Sequence, residues 1–431
     1  MRDETIITLS GLILMRKFIS SALICLAMAV SCPLRVVPEQ LGRRQCMAAV
    51  NEGADLIRRG ELREAGQTLE ARHECVDVPG FYATFFELAE AYFEVHKVPA
   101  ARNAAARLST LAGSNPKVHF SLGLLLAQNG QYKMAAGEFA AVPASERDFA
   151  TYMDLGMAYS KLLQFQHARN AYESALELNA SSAEPYLHLG LDAAAMGEIA
   201  QAVDWLGQAH AETPEREDIA YAYSEVLIQA HNYERAGNIL SQALHDHPGS
   251  PELIEAEGDL YLQQNQDGEA KQAYLKCLEV DPNSLRARVS LARAYLGMRE
   301  PEAARQQLEK VLRLQPDNPE ANAQLGRMAL DAGRQEKAQQ LTELALKADP
   351  DNSIANETFA EINIREGNYS EAYTILQKLV KVNPRTPRFH YLLGRVLIKL
   401  GRPAEARREF QLSRTLQNAP AAQSAISGHS Q

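Results

Sequence analysis

Residues 183–214 read AEPYLHLGLDAAAMGEIAQAVDWLGQAHAETP. Tyr186, Leu189 and Ala193 fall at i, i+3 and i+7, the spacing of one helix face. Gly197 ends that helix, because glycine enters the left-handed conformation at little cost. Ala202, Leu206 and Ala209 mark one face of a second helix, and Pro214 stops it. The stretch is therefore a helical hairpin. Its two small columns let the helices approach closely, so Gly190 and Ala202 are expected to meet, and leucine at either should overpack.

The hairpin recurs. Proline stands at 214, 248, 282, 316, 350 and 384, a constant interval of 34 residues. Alanine holds positions 65, 101, 135, 168, 202, 236, 270, 304, 338, 372 and 406. A second column at 53, 89, 123, 156, 190, 224, 258, 292, 326, 360 and 394 contains only Gly, Ala or Ser. These columns define about 11 units, beginning near residues 46, 82, 116, 149, 183, 217, 251, 285, 319, 353 and 387. Gly60, Gly130, Gly333, Gly367 and Gly401 take the place of Gly197. Ser250-Pro251-Glu252, Asn318-Pro319-Glu320 and Thr386-Pro387 read as an N-cap followed by proline in the first turn.

The pattern resembles the tetratricopeptide repeat (TPR) family. The unit from Phe149 carries its signature as Tyr152, Leu155-Gly156, Tyr159, Ala168, Tyr172 and Ala175, with Ala180 in place of the late proline. The last unit carries Leu393-Gly394, Ala406 and Phe410. The resemblance covers residues 46–418. Glu52 and Glu257 stand where leucine is usual, and no unit has tryptophan at the first bulky place. The resemblance implies an all-α, right-handed α-solenoid superhelix whose first helices line a concave groove.

The first-helix residues outside the small columns give the expected groove lining. Early units supply Phe86, Phe93, Phe120, Leu124, Met153, Met157, Leu187, Leu191 and Tyr221, an apolar strip suited to an amphipathic helix or extended apolar peptide. Charge then alternates in blocks: Glu225, Glu252, Glu255 and Asp259; Arg286, Arg293 and Arg327; Glu357 and Glu361; Arg388 and Arg395. Arg286, Arg293 and Arg327 can hold an acidic segment. The alternative is structural, with the strip buried between neighbouring units and the charges paired between repeats. The clamp with which chaperone-binding TPR domains grip a C-terminal carboxylate needs Asn and Lys where this chain has Phe, Met, Leu and His188, so that ligand is disfavoured.

Lys and Arg total 44 against 54 Asp and Glu, a net charge of −10, which argues against a nucleic-acid backbone ligand. A hydrophobic content of 46% supports a large core. Residues 1–31 read as a signal peptide: Arg16 and Lys17 precede the apolar run Phe18–Val30, and Ala27-Met28-Ala29 fits a cleavage site. Met15 is the more natural start. Ala29-Val30-Ser31-Cys32 also resembles a bacterial lipobox, which would make Cys32 a lipid-bearing membrane tether; an uncleaved signal would be another. Residues 32–45 are a lead-in and 419–431 a polar tail.

Cys46 opens the first hairpin and Cys75 closes it, so an exported chain would pair them in a disulfide, whereas a cytoplasmic chain would keep two thiols. Cys277 falls in an alanine column and reads as core. No nucleophile elbow, phosphate loop, HExxH or CxxC is present. His245 and His247 flank Asp246 without further ligands, and no metal or cofactor is expected. Glu52 and Glu257 read as carboxylates at the groove edge. The expectation is a non-enzymatic scaffold or adaptor, exported to the periplasm or cell envelope, that binds proteins or peptides within a secretion or envelope complex. Its rivals are an accessory regulatory subunit of a separate enzyme and a self-associating structural protein.

Overall fold

A computed structural model describes residues 40–418. The signal, the Met15 start, the cleavage site, Cys32 and the tail lie outside them. The described residues fall into two compact bodies that divide between Pro214 and Glu215.

The first body comprises α1 (Gln40–Arg58), α2 (Leu62–Glu70), α3 (Phe81–Glu94), α4 (Val98–Ala112), α5 (Pro116–Gln128), α6 (Tyr132–Ala141), α7 (Phe149–Lys161), α8 (Phe165–Leu178), α9 (Ala183–Ala195) and α10 (Ile199–Glu212). Short 3-10 turns cover His73–Asp77 and Ala144–Glu146. The second comprises α11 (Glu217–Gln229), α12 (Tyr233–Asp246), α13 (Pro251–Gln263), α14 (Asp267–Val280), α15 (Leu285–Gly297), α16 (Pro301–Leu314), α17 (Pro319–Asp331), α18 (Gln335–Ala348), α19 (Ser353–Glu366), α20 (Tyr369–Val382), α21 (Pro387–Lys399) and α22 (Pro403–Asn418). Odd-numbered and even-numbered helices are the first and second of each hairpin. The chain is an α-solenoid of helix-turn-helix repeats. Its first helix includes Gln40–Gln45, ahead of the expected unit start at 46, and runs through Gly42.

All eleven alanines of the alanine column have no exposed surface. The glycine column meets a different partner from the one expected. A Cβ placed on Gly190 would strike Leu206 rather than Ala202. The same holds sixteen residues on from each glycine: Gly123 faces Phe139 at 2.6 Å, Gly258 faces Tyr274 at 2.6 Å and Gly394 faces Phe410 at 2.7 Å. At six of the seven glycines a large side chain of the second helix fills the space, while Gly326 faces Thr342. The non-glycine members Ala292 and Ala360 have leucine, Leu308 and Leu376, in the same register.

Each hairpin turn passes through the left-handed region. Gly60, Gly130, Gly197, Gly333, Gly367 and Gly401 do so, and so do His96, Leu163, His231, Asn265 and Arg299, at φ between 56° and 62°. Repeat geometry therefore overrides the residue's own preference in five of the eleven turns. Ser250 and Asn318 cap as expected, accepting from the amides of Leu253 and Ala321. Thr386 holds the N-cap position, but its side chain makes no cap bond.

The fourth position of a unit, where the family usually has tryptophan, is polar in five units. His119, Arg288, Asn322, Asn356 and His390 each bond a backbone carbonyl six residues earlier, at Gly113, Pro282, Pro316, Pro350 and Pro384. The two histidines also pair with a glutamate nineteen residues on, Glu138 and Glu409, each at 2.7 Å. For buried His119 the Gly113 carbonyl and an ionised Glu138 both accept, an arrangement that favours the doubly protonated ring. The hydrogen bond to Glu138 accordingly raises its pKa against the opposing effect of burial.

A raised folded pKa makes this contribution complete below the unfolded value near 6.5 and lost as pH rises through the folded value. His119→Asn keeps the donor to the carbonyl but does not titrate. The stability difference between wild type and this variant should shrink by on the order of 1–2 kcal/mol from acid to alkaline pH. Thermal melts of both proteins across that range would show it, and a pH-independent difference would refute it.

Candidate functional site

At the start of the first body, Cys46 and Cys75 are disulfide-bonded, with Cα atoms 5.4 Å apart. Cys46 lies in the second turn of α1, not at its start. Cys75 lies in the 3-10 turn after α2 rather than at the end of that helix. Cys277 is buried, its Sγ directed at the Pro251 carbonyl, and burial pushes its pKa up to about 12. That thiol is core, not a reactive group.

The apolar strip divides. In the first body Phe93, Met153 and Leu187 are buried, at 7%, 7% and 5% exposure, and belong to the core. Phe86, Phe120, Leu124, Met157 and Leu191 are half-buried and keep one side open. They sit on α3, α5, α7 and α9, at the fifth and ninth positions of their repeat units. Tyr221, in the second body, is buried at 7%. Phe93 sits at the twelfth position of its unit, about one turn past the ninth.

In the second body the charge blocks close on one another. Arg286, on α15, reaches Glu255 Oε1 with Nε at 2.6 Å. Its Nη2 lies 2.8 Å from Asp259 Oδ2 and 3.2 Å from Glu225 Oε2, and its Nη1 donates to the Tyr221 hydroxyl. Tyr274 donates its hydroxyl to the other oxygen of Asp259. Three carboxylates from α11 and α13 thus share one guanidinium. Burial pushes Glu255 up to about 7 and raises Glu225, with Arg286 opposing in both cases. Burial alone would lower Arg286, but the surrounding carboxylates raise it.

A second set follows. Arg327 Nη1 lies 3.2 Å from Glu357 Oε1 and 2.8 Å from Glu361 Oε1, and its Nη2 lies 3.1 Å from Asp331. Arg388 contacts the same two glutamates. Burial would raise Glu361, but the two arginines hold it below the usual carboxylate range.

Arg286 and Arg327 are therefore committed to carboxylates of this chain, which corrects the expectation that they hold an acidic ligand. Arg293 is exposed, with no salt bridge among the described residues. Arg395 stacks over Tyr391. Of the remaining candidates, Glu52 is exposed and Glu257 half-buried. His247 bonds the Glu215 carbonyl. Among the described residues no group of three or more His, Cys, Asp or Glu could hold a metal ion, and no helix is long and apolar enough to cross a membrane.

Sequence profiles described as tetratricopeptide repeat match residues 86–148, 149–182, 193–260, 252–284 and 289–353. Another, described as anaphase-promoting complex, cyclosome, subunit 3, matches 331–411. The repeat profiles together span more than half of the sequence, and the chain belongs to the tetratricopeptide repeat family. Proteins of this family generally mediate protein–protein interactions and act as scaffolds, typically without catalysing a reaction. A tetratricopeptide repeat protein from Parabacteroides merdae superposes with a TM-score of 0.52 at 18% identity, over 57% of this chain and 97% of its own. Yeast Tom70 gives 0.44 at 13%, over 87% and 93%. YrrB, a TPR protein with an unusual peptide-binding site, gives 0.34 at 24%, over 40% and 90%. No curated protein matches.

Proposed function

We propose that the chain is a scaffold or adaptor of an exported, envelope-associated protein complex, and that the inner face of α3, α5, α7 and α9 receives an apolar segment of a protein partner. The carrying observation is the row of half-buried Phe86, Phe120, Leu124, Met157 and Leu191. Two of the five are aromatic and one is an adaptable methionine, a composition suited to re-packing around a bound helix or strand. The Cys46–Cys75 bond supports an oxidising compartment, in keeping with residues 1–31 as a signal and Cys32 as a lipid tether. The chain brings partners together and leaves any chemistry to them.

The test is cross-linking and capture from native cells with wild type and a variant carrying Phe86→Ala, Phe120→Ala, Leu124→Ala, Met157→Ala and Leu191→Ala. Circular dichroism first establishes that the variant is folded. A partner that disappears with the variant, at a loss of roughly tenfold or more, supports the reading. Retention of every partner would exclude this face. Fractionation of the same cells, with thiol labelling before and after reduction, tests export.

A further inference from the structure

Leu163 is 71% exposed and holds the left-handed conformation at φ 58°. It occupies the hairpin turn between α7 and α8, where six other hairpins have glycine and four have His, Asn or Arg. A branched side chain is strained in that conformation, and its apolar surface faces water. The fold gains nothing from leucine at this place. Val95, 52% exposed, directly precedes the left-handed residue of the second hairpin turn. These apolar tips stand among free cations. Arg59, Lys97 and Lys133 are exposed at the turns of the first three hairpins and make no ion pair among the described residues. Arg59 and Lys97 line an open cavity of about 400 Å³ between the first two turns, together with Arg58, Leu62, Glu94 and Val95. We infer that the hairpin-turn edge of the first body docks on an anionic lipid surface. Arg59 and Lys97 take a lipid phosphate in the cavity, while Val95 and Leu163 enter the boundary between headgroups and acyl chains.

The charge of the first body is divided by edge. Counted from the last residue of one helix to the fourth residue of the next, its hairpin turns hold six Lys or Arg against four Asp or Glu. The connections between hairpins, counted the same way up to Pro214, hold three against seven. The turn edge is thus positive in a chain whose net charge is −10. Arg102 bonds Gln131 and Arg169 bonds Glu198, each from one hairpin to the turn of the next, so successive turns lie side by side. Lone apolar tips on protruding turns, backed by cations, suit a bilayer, which accepts them at any spacing. A protein partner would need a separate pocket for each.

The inference goes beyond the scaffold reading and uses none of its inner-face residues. Its test is co-sedimentation of the full-length protein with vesicles of phosphatidylcholine alone, or of equal parts phosphatidylcholine and phosphatidylglycerol, at about 0.15 M salt. The apolar run Phe18–Val30 contributes equally to every variant, so only differences are read. Wild type should bind the anionic vesicles more tightly than the neutral ones by roughly tenfold or more, and Arg59→Gln with Lys97→Gln should remove most of that preference. Leu163→Gly should weaken binding to the anionic vesicles by roughly fivefold or more, yet melt at the same or a higher temperature, because glycine adopts the turn freely. Leu178→Ala, which trims a residue 55% exposed at the connection edge, should bind like wild type. Equal binding to both vesicle types, or equal binding by the Leu163 and Leu178 variants, overturns the inference. So does capture of an acidic protein from native cells that the Arg59 and Lys97 variant loses, with no vesicle preference, which would assign the edge to a protein. Neither failure touches the scaffold reading, which stands or falls with capture by the apolar-face variant.

Discussion

Replacing both Cys46 and Cys75 with alanine is expected to release the first hairpin while the rest of the array stays folded. The bridge closes a sequence separation of 29 residues. In the chain-entropy account such a loop is worth roughly 3.5 kcal/mol. Among the described residues the hairpin buries few side chains. α1 buries Ala49, Val50 and Gly53, and α2 buries only Leu62, Ala65 and Leu69. A hydrogen bond from the Tyr92 hydroxyl to the Leu62 carbonyl adds one tie to α3. In a repeat array each unit draws stability from its neighbours, and a terminal unit opens first. Amide exchange should therefore speed up by roughly 300-fold across α1 and α2, with little change in α7 to α10. Unchanged exchange in α1 and α2 would show that packing alone holds the hairpin. Uniform acceleration would show that the whole body opens as one unit.

The repeat architecture was legible because it is written in small residues at fixed spacing. An alanine column with no exposed surface in any unit leaves little freedom for another reading. What the column's neighbours do was not legible. Gly190 was expected to meet Ala202, yet the side chain that decides the glycine is Leu206, because helical side chains tilt toward the N-terminus and cover the turn before their own Cα. Left-handed turns at Leu163 and Arg299 were also hidden, since neither residue signals that conformation. No sequence motif marks His119 and His390. Only their common offsets, six residues back to a carbonyl and nineteen forward to a glutamate, reveal one arrangement used twice.

The exposure of the first-helix apolar residues was legible in part. Repeat position identified Phe86, Phe120, Leu124, Met157 and Leu191, which are open on one side. It could not tell Met153 and Leu187 from them, because burial there depends on how closely consecutive first helices approach. The alternation of charge was visible, but its meaning was not. Arg286 and Arg327 looked like hands extended to a ligand, whereas each closes on glutamates of neighbouring repeats, as the structural alternative had it.

Gly123→Ala is expected to destabilise the first body, and Phe139→Leu to rescue it. The added methyl would lie 2.6 Å from the Phe139 ring, closer than real Cβ contacts come. The ring cannot simply swing aside, because Phe139 is fully buried and packs against Phe120 with centroids 5.9 Å apart. Overpacking of this kind costs about 1–3 kcal/mol. Replacing glycine inside a helix returns up to about 1 kcal/mol, so the steric cost prevails. Phe139→Leu alone leaves unfilled space beside Gly123 and costs about 1–3 kcal/mol. The double variant, however, reproduces the alanine–leucine pairing that the chain uses at Ala292 with Leu308 and at Ala360 with Leu376. Its loss should be smaller than the sum of the single losses by about 0.5–3 kcal/mol. Denaturant unfolding of the four proteins measures that coupling. Simple additivity would mean that the glycine is held by helix approach alone, as the sequence first suggested, and that the facing ring is incidental.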